Sequence, residues 1–536
     1  MRAFILSGLA IAAIALAEVA AQQPPRLIVI VVADQFRADY LTTFASHWRA
    51  GLRTLTTEGA VFQRAEYPYR HTDTCAGHFT IGTGTLPRTH GMVSDAWWDA
   101  ESKRSIECTD DEKAQPVTYG LASKIGKSAR RLLVPTLADE LRSQKPGARV
   151  VTLSLKSRSA IGLAGHGGDA VTWFEETPGV GSFMTSTAFS AKPVAAVASF
   201  VERDSFEKDF DKTWALRDPE DQYRSQDAGI GERPRAPRIG LFPHAMKGLT
   251  NNRNDAFSLW RESPFADAYL GRLAAALVDA YALGQRDGTD FLGVGFSATD
   301  TVGHPFGPDS RELEDTVARL DDAIGALIAH LDAKVGRSNY VLAFSADHGV
   351  APIPVTMGGG TVASDDVRER IEVVMTRHFG KAATRWVISG GSQPTLAEGA
   401  MARLVAQPAV MAEVARAAES VPGVERLLRT DTLSETSRDA LIRMAALSYM
   451  TGRSGDFVII PKRNWLIAGR AGLAGTNHGS PYEYDRHVPL ILLGGGIKAG
   501  RYDRASTPAD IAPTLARLAN VKMSKAEGRV LLEGLR

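Results

Sequence analysis

The chain has 536 residues, 44% of them hydrophobic and 23% charged, with 62 Lys and Arg against 61 Asp and Glu. This is ordinary soluble globular composition, long enough for several domains or for one large α/β domain. A formal net charge of +1, with no long block of like charge, argues against a nucleic-acid surface or an acidic tail.

The first residues read as an export leader. Met1-Arg2 is a short basic start, Ala3 to Ala17 is apolar, and Val19-Ala20-Ala21 supplies small residues before Gln22. This predicts a signal peptide over 1–21 with cleavage after Ala21. A membrane anchor is the weaker reading, because the apolar run falls short of the roughly 20 residues a bilayer needs and Glu18 interrupts it. The mature chain, 22–536, is therefore expected in the periplasm or outside the cell. Cys75 and Cys108 are the only cysteines. Export permits a disulfide between them, but Cys75 could equally be a small packed residue. Their separation does not resemble a zinc-finger framework.

After Pro24-Pro25, Leu27 to Ala33 is a continuous β-branched and aliphatic run. Such a run predicts a strand covered on both faces, as in a parallel sheet between helices. It ends at Asp34, and ligands of open α/β sheets gather at the carboxyl ends of strands. Tyr69 to Gly84 follows, where Thr72-Asp73-Thr74 leads into small residues and an apolar run. This predicts a strand-to-helix turn with a capping hydroxyl, whose free N–H groups favour a neighbouring anion. Thr74 is the candidate nucleophile.

Residues 100–130 are polar and read as a surface excursion, and Pro135 to Arg142 as a helix with Pro in its first turn. Val150 to Leu155 is a second buried strand, ending in Lys156-Ser157-Arg158. Alternate residues of an extended chain share a side, so Lys156 and Arg158 can face one site. Gly162 to Gly168 reads as a glycine-rich turn. Residues about 170–262 are irregular and rich in Pro, Asp and Arg, and are expected to form an inserted cap. Phe265 to Gly284 has helical spacing. Phe291 to Ser297 is a strand leading to Asp300 and His304. Ser310 to Val335 is a long amphipathic helix, and Tyr340 to Phe344 is a strand leading to Asp347-His348. Residues about 360–460 read as a helix-rich insertion without evident chemistry. His478-Gly-Ser, a strand over Val488 to Leu493 and a last helix from Pro508 close the chain. Alternating strands and helices predict a doubly wound, mostly parallel α/β sheet with helices on both faces.

The polar residues at these strand ends form a set: Asp34, Thr74, Asp300, His304, Asp347, His348 and His478. Carboxylate oxygen with imidazole nitrogen suits zinc. In order and type the set resembles the alkaline phosphatase superfamily, in its phosphodiesterase/nucleotide pyrophosphatase-like branch with a threonine nucleophile. Lys156-Ser-Arg158 is similar to the PafA-like bacterial alkaline phosphatases of that branch. The resemblance implies two zinc ions, one on Asp300, His304 and His478, the other on Asp34, Asp347 and His348 with Thr74. It implies phosphate monoester hydrolysis through a phosphothreonine, with Lys156 and Arg158 binding the phosphate oxygens. The family normally carries Asn where this chain has Asp95, a substrate-binding position. An ionised Asp there would repel phosphate, whereas a protonated one could donate to it. The alternatives are a phosphodiesterase or nucleotide pyrophosphatase, and a metal-holding binding protein without turnover. A sulfatase is disfavoured, because Cys75-Ala-Gly-His-Phe79 lacks the Pro and Arg of that nucleophile motif.

Overall fold

The computed structural model describes residues 23–119, 125–177, 180–234, 240–246, 253–470 and 475–536. The leader expected over 1–21 lies outside the described residues. Among them, no helix is long and apolar enough to cross a membrane.

Among the described residues, ten strands make the central sheet. They are β1 (Leu27–Ala33), β2 (Ala60–Phe62), β3 (Pro116–Thr118), β4 (Val150–Ser154), β5 (Ala170–Thr177), β6 (Val180–Ser186), β7 (Asp290–Phe296), β8 (Tyr340–Ser345), β9 (Leu490–Gly494) and β10 (Gly500–Tyr502). Their order across the sheet is β10-β2-β9-β8-β1-β7-β4-β5-β6-β3. The five strands from β8 to β5 run parallel. The flanks do not: β9 is antiparallel to β8, and β6 to β5. The sheet is thus mixed, parallel at its centre and largely antiparallel outside it. Strands β5 and β6 follow one another without a crossover helix, which leaves only the antiparallel arrangement open to them.

Every residue of β1 is buried. Its alternate side chains enter two cores: Leu27, Val29 and Val31 on one face, Ile28, Ile30 and Val32 on the other. The first core is closed by helices Pro264–Ala280 and Arg311–Lys334, through Leu273, Leu277, Ile324 and Leu331. The second is closed by helices Leu137–Gln144 and Ile511–Leu518, through Leu137, Leu141, Ile511 and Leu515. Full burial of each such aliphatic side chain contributes about 1.5–3 kcal/mol, so the unbroken apolar run of β1 holds both layers to the sheet.

Several elements differ from the sequence reading. Pro135 stands outside its helix, which starts at Leu137 behind a Thr136 cap reciprocated by Asp139. Gly162 lies within helix Ser157–Ala164, and only the stretch from Gly165 turns. Residues 170–177 and 180–186, at the head of the stretch expected to be a cap, extend the central sheet. Residues 362–459 enclose an apolar cluster of their own, with Val367, Ile371, Val414 and Ile459 at its centre.

Cys75 and Cys108 form a disulfide, 33 residues apart in sequence. The loop it closes carries Asp95, whose carbonyl accepts the Cys108 N–H at 2.9 Å. Constraining a loop of this length is worth about 3–4 kcal/mol in the chain-entropy model. Cys108→Ser is accordingly expected to lower the unfolding free energy by about that much, read as a shift of the urea midpoint. An unchanged midpoint would show that the loop is held without the bond.

Candidate active site

The carboxyl ends of β8, β1, β7 and β4, four adjacent parallel strands, lie on one edge of the sheet. Asp347 and His348 follow β8, Asp34 follows β1, and Lys156 follows β4. Asp300 and His304 lie one turn apart on helix Ala298–Phe306, directly after β7. His478 reaches the same edge because β9 runs against β8. Leu490, at the start of β9, pairs with Ser345 at the end of β8, so the chain approaching β9 arrives at the site.

Thr74 opens helix Thr74–Thr83, which is buried along its whole length. The cap is Asp73, not a threonine hydroxyl: Asp73 Oδ1 accepts the Ala76 N–H at 3.1 Å. The Thr74 hydroxyl is therefore free of capping duty. Asp73 Oδ2 also accepts the Asp95 N–H at 2.8 Å and lies 3.0 Å from His71 Nε2. The helix rests directly on the main chain of Asp347. A Cβ at Gly77 would stand 2.1 Å from the Asp347 carbonyl oxygen, which no side chain could tolerate.

Ligand atoms of Asp34, Asp347 and His348 fall within 4.8 Å of one another, as do those of Asp300, His348 and His478. His348 is thus shared between the two groups, and its ring stacks on that of His478 at 3.6 Å. His304 Nε2 lies 3.1 Å from Asp300 Oδ1. The predicted residues come together as one continuous cluster.

The imidazoles share one arrangement. His304 Nδ1 lies 2.9 Å from the Thr476 carbonyl, His348 Nδ1 2.9 Å from that of Gly349, and His478 Nδ1 2.8 Å from that of Thr72. A carbonyl only accepts, so each Nδ1 carries the proton and donates it. Each Nε2 is left facing carboxylates. Asp34 Oδ1 and His348 Nε2 are buried without hydrogen-bond partners. Lone pairs of nitrogen and oxygen aimed at one another in a buried site fit divalent cations. Burial, then the Asp300 and Asp347 charges, pushes the Asp34 carboxyl well above its usual range. Burial, then the neighbouring His348 and His304, pulls His478 well below its own.

The organic cations adjoin this cluster. Lys156 Nζ lies 2.6 Å from Asp300 Oδ2, 2.7 Å from Asp34 Oδ2 and 3.4 Å from Thr74 Oγ1. Burial disfavours its charge, but Asp300 and Asp34 outweigh burial and raise its pKa. The extended chain expected over 156–158 is instead a helix start: Lys156 is the cap and Arg158 lies in the first turn. The two side chains still line one cavity, because Lys156 projects from the strand end and Arg158 from the helix beside it. Arg158 Nε pairs with Asp95 Oδ2 at 3.0 Å, and Asp95 Oδ1 accepts the Cys75 N–H at 2.7 Å. Burial, with Asp73 nearby, raises the Asp95 pKa in spite of Arg158.

The sequence places His78 in the motif that opens with Thr74 but gives it no role; it lies four residues after Thr74 and so on the same helix face. Its Nδ1 lies 3.0 Å from the Thr74 carbonyl and 3.1 Å from Asp347 Oδ2, tying helix to carboxylate. Sequence reasoning missed Gln35, whose N–H donates to Asp347 Oδ1 at 3.1 Å from a left-handed backbone, φ 63°. A helical i, i+4 reading could have given His78 its role; nothing in the sequence marks Gln35.

Residues 28–481 match the family model described as type I phosphodiesterase/nucleotide pyrophosphatase. Alkaline phosphatase PafA of Elizabethkingia meningoseptica is 32% identical over 528 residues, covering 95% of this chain and 94% of that protein. Alkaline phosphatase PhoV of Synechococcus elongatus is 30% identical over 537 residues, covering 96% and 93%. The crystal structure of wild-type PafA superposes with a TM-score of 0.88 at 31% identity, covering 96% of this chain and all of that one. The fold is that of the alkaline phosphatase superfamily. Within it, the chain belongs to the type I phosphodiesterase/nucleotide pyrophosphatase family.

Proposed function

We propose that this chain hydrolyses phosphate monoesters through a phosphothreonine formed on Thr74, with two zinc ions held by the Asp and His cluster. It is a phosphoric monoester hydrolase, the activity carried in the names of its full-length relatives PafA and PhoV. The observation that carries the metal reading is the common pose of His304, His348 and His478, each donating Nδ1–H to a carbonyl and aiming Nε2 at acids. Asp300, His304 and His478 would hold one ion, and Asp34, Asp347, His348 and Thr74 Oγ1 the other. Bound there, the ions supply Lewis acidity for a hydroxyl nucleophile and its leaving group.

The chain's own residues divide the remaining work. Thr74 Oγ1 attacks phosphorus, the bond to the alcohol oxygen breaks, and water then cleaves the phosphothreonine to phosphate and free Thr74. Helix Thr74–Thr83 presents its positive end to the phosphate. Lys156 supplies a point charge and Arg158 a planar fork, both suited to the extra anionic oxygens of a monoester. Asp95 borders the substrate and holds Arg158 by its Nε. With Oδ1 engaged by Cys75 and Oδ2 by Arg158, its closest effect on phosphate runs through the orientation of that guanidinium. The leader-like residues 1–21 and the disulfide support export to the periplasm or beyond.

A diester offers an ester group where a monoester offers a charged oxygen. The wild-type enzyme is therefore expected to turn over p-nitrophenyl phosphate faster than bis-p-nitrophenyl phosphate. The double variant Lys156→Ala, Arg158→Ala should narrow that preference by roughly 10–100-fold, the worth of one or two charge-assisted contacts. Faster wild-type hydrolysis of the diester would instead support the phosphodiesterase reading. No turnover of either ester by the zinc-loaded protein would support a binding protein.

A further inference from the structure

The cavity over Thr74 has a volume of about 510 Å³. Cavities of some 300–1,000 Å³ hold drug-sized molecules, so the space far exceeds a phosphate group. Its buried end holds Thr74, Lys156 and Asp300, with the half-buried Arg158 beside them. Its other wall comes from the 360–470 region and includes Trp465, Leu466 and Ile467, all half-buried.

This wall is rigidly built. Leu466–Ala468 pairs in parallel with Thr361–Ala363, and the Leu466 N–H donates to the Gly360 carbonyl at 3.0 Å. Just beyond it, the Asp365 N–H donates to the Gly469 carbonyl at 3.2 Å. The Trp465 indole lies on main chain that only glycine leaves bare. A Cβ at Gly423, where φ is 85°, would stand 1.9 Å from indole Cε3, and one at Gly360 would stand 3.0 Å from Cζ3. Trp465 and Ile467 also pack against the apolar cluster of this region. Leu466 points the other way by strand alternation.

We propose that Trp465, Leu466 and Ile467 form a leaving-group subsite that selects monoesters of aromatic or otherwise apolar alcohols. This rests on the phosphatase reading above. In-line displacement puts the departing oxygen on the side of phosphorus away from the attacking Thr74 Oγ1. Thr74 is only 1% exposed and the wall residues are half-buried, so the alcohol extends outward along them. The Leu466 side chain, with the exposed parts of Trp465 and Ile467 beside it, offers a ring a dispersion contact, and the Ser364 and Ser392 hydroxyls that line the same cavity are what it leaves a polyhydroxylated alcohol to engage.

The test compares 2-naphthyl phosphate with glycerol 3-phosphate, using inorganic phosphate as a competitive inhibitor without a leaving group. Trp465→Ala should lower kcat/KM for the naphthyl ester about tenfold more than for the glycerol ester, chiefly through KM. Trp465→Phe should restore most of the loss. The inhibition constant for inorganic phosphate should move by less than about twofold, since phosphate does not reach the wall. Leu466→Ser, a change facing away from the insertion's core, should act in the same direction, so the proposal stands or falls even if Trp465→Ala does not fold. Equal losses on both esters, or no loss from either variant, would overturn the subsite while leaving the phosphatase reading intact. Absence of monoester turnover in the wild-type enzyme would overturn both.

Discussion

Thr74→Ala is expected to abolish p-nitrophenyl phosphate hydrolysis, with kcat falling by roughly 10⁴-fold or more, the scale seen when a nucleophile is deleted. The fold should not suffer. Helix Thr74–Thr83 is capped by Asp73, whose bond to the Ala76 N–H at 3.1 Å does not involve the hydroxyl. Metal content should stay near that of the wild type, because six of the seven proposed ligand residues remain. The informative measurement is therefore activity alongside elemental analysis of the same sample. Loss of activity with retained metal identifies Thr74 as the group that attacks phosphorus. A variant within tenfold of wild type would mean that water attacks directly and that no phosphothreonine forms.

Metal removal should have the second large effect, on stability as well as turnover. Asp34, Asp300 and Asp347 are almost wholly buried in one cluster, where like charges repel and desolvation is costly. Lys156 balances part of that charge, and cations bound by Nε2 and carboxylate would balance the rest. A ligand that binds only the folded state adds RT ln(1 + [L]/Kd), about 4 kcal/mol at a thousandfold excess over Kd. Dialysis against a chelator should therefore lower the thermal midpoint and remove activity together, and added zinc should restore both. If verified metal removal left both the midpoint and the activity unchanged, the Asp and His cluster would not be a metal site.

The legible parts of the chain were those where one local pattern fixes the outcome. An unbroken aliphatic run such as Leu27 to Ala33 has no exposed face, so it had to be a central strand, and it is buried at every position. Acids directly after such strands, Asp34 and Asp347, then follow from the rule that parallel sheets gather ligands at their carboxyl edge. His478 obeys no such rule. It reaches the edge through the antiparallel return of β9, a pairing 145 residues away in sequence, from Ser345 to Leu490. The turn at Thr72-Asp73-Thr74 was read one residue off, because carboxylate and hydroxyl both cap and sequence does not rank neighbours. Lys156 to Arg158 looked extended because Ser-Arg-Ser carries no helical apolar spacing, although Ser157 starts a helix. Trp465 to Ile467 carry no sequence signal, because a binding wall of ordinary apolar residues has the same composition as a core.

The contact at Gly77 has a broader consequence. With main chain pressed on main chain, 2.1 Å separating a would-be methyl from the Asp347 carbonyl, the distance from position 74 to the carboxylate loop is set by backbone alone. The proposed nucleophile can then be exchanged, threonine for serine, without altering where its oxygen begins. A lineage built on this scaffold could trial new chemistries at that point while inheriting the spacing unchanged, provided residue 77 never acquires a side chain.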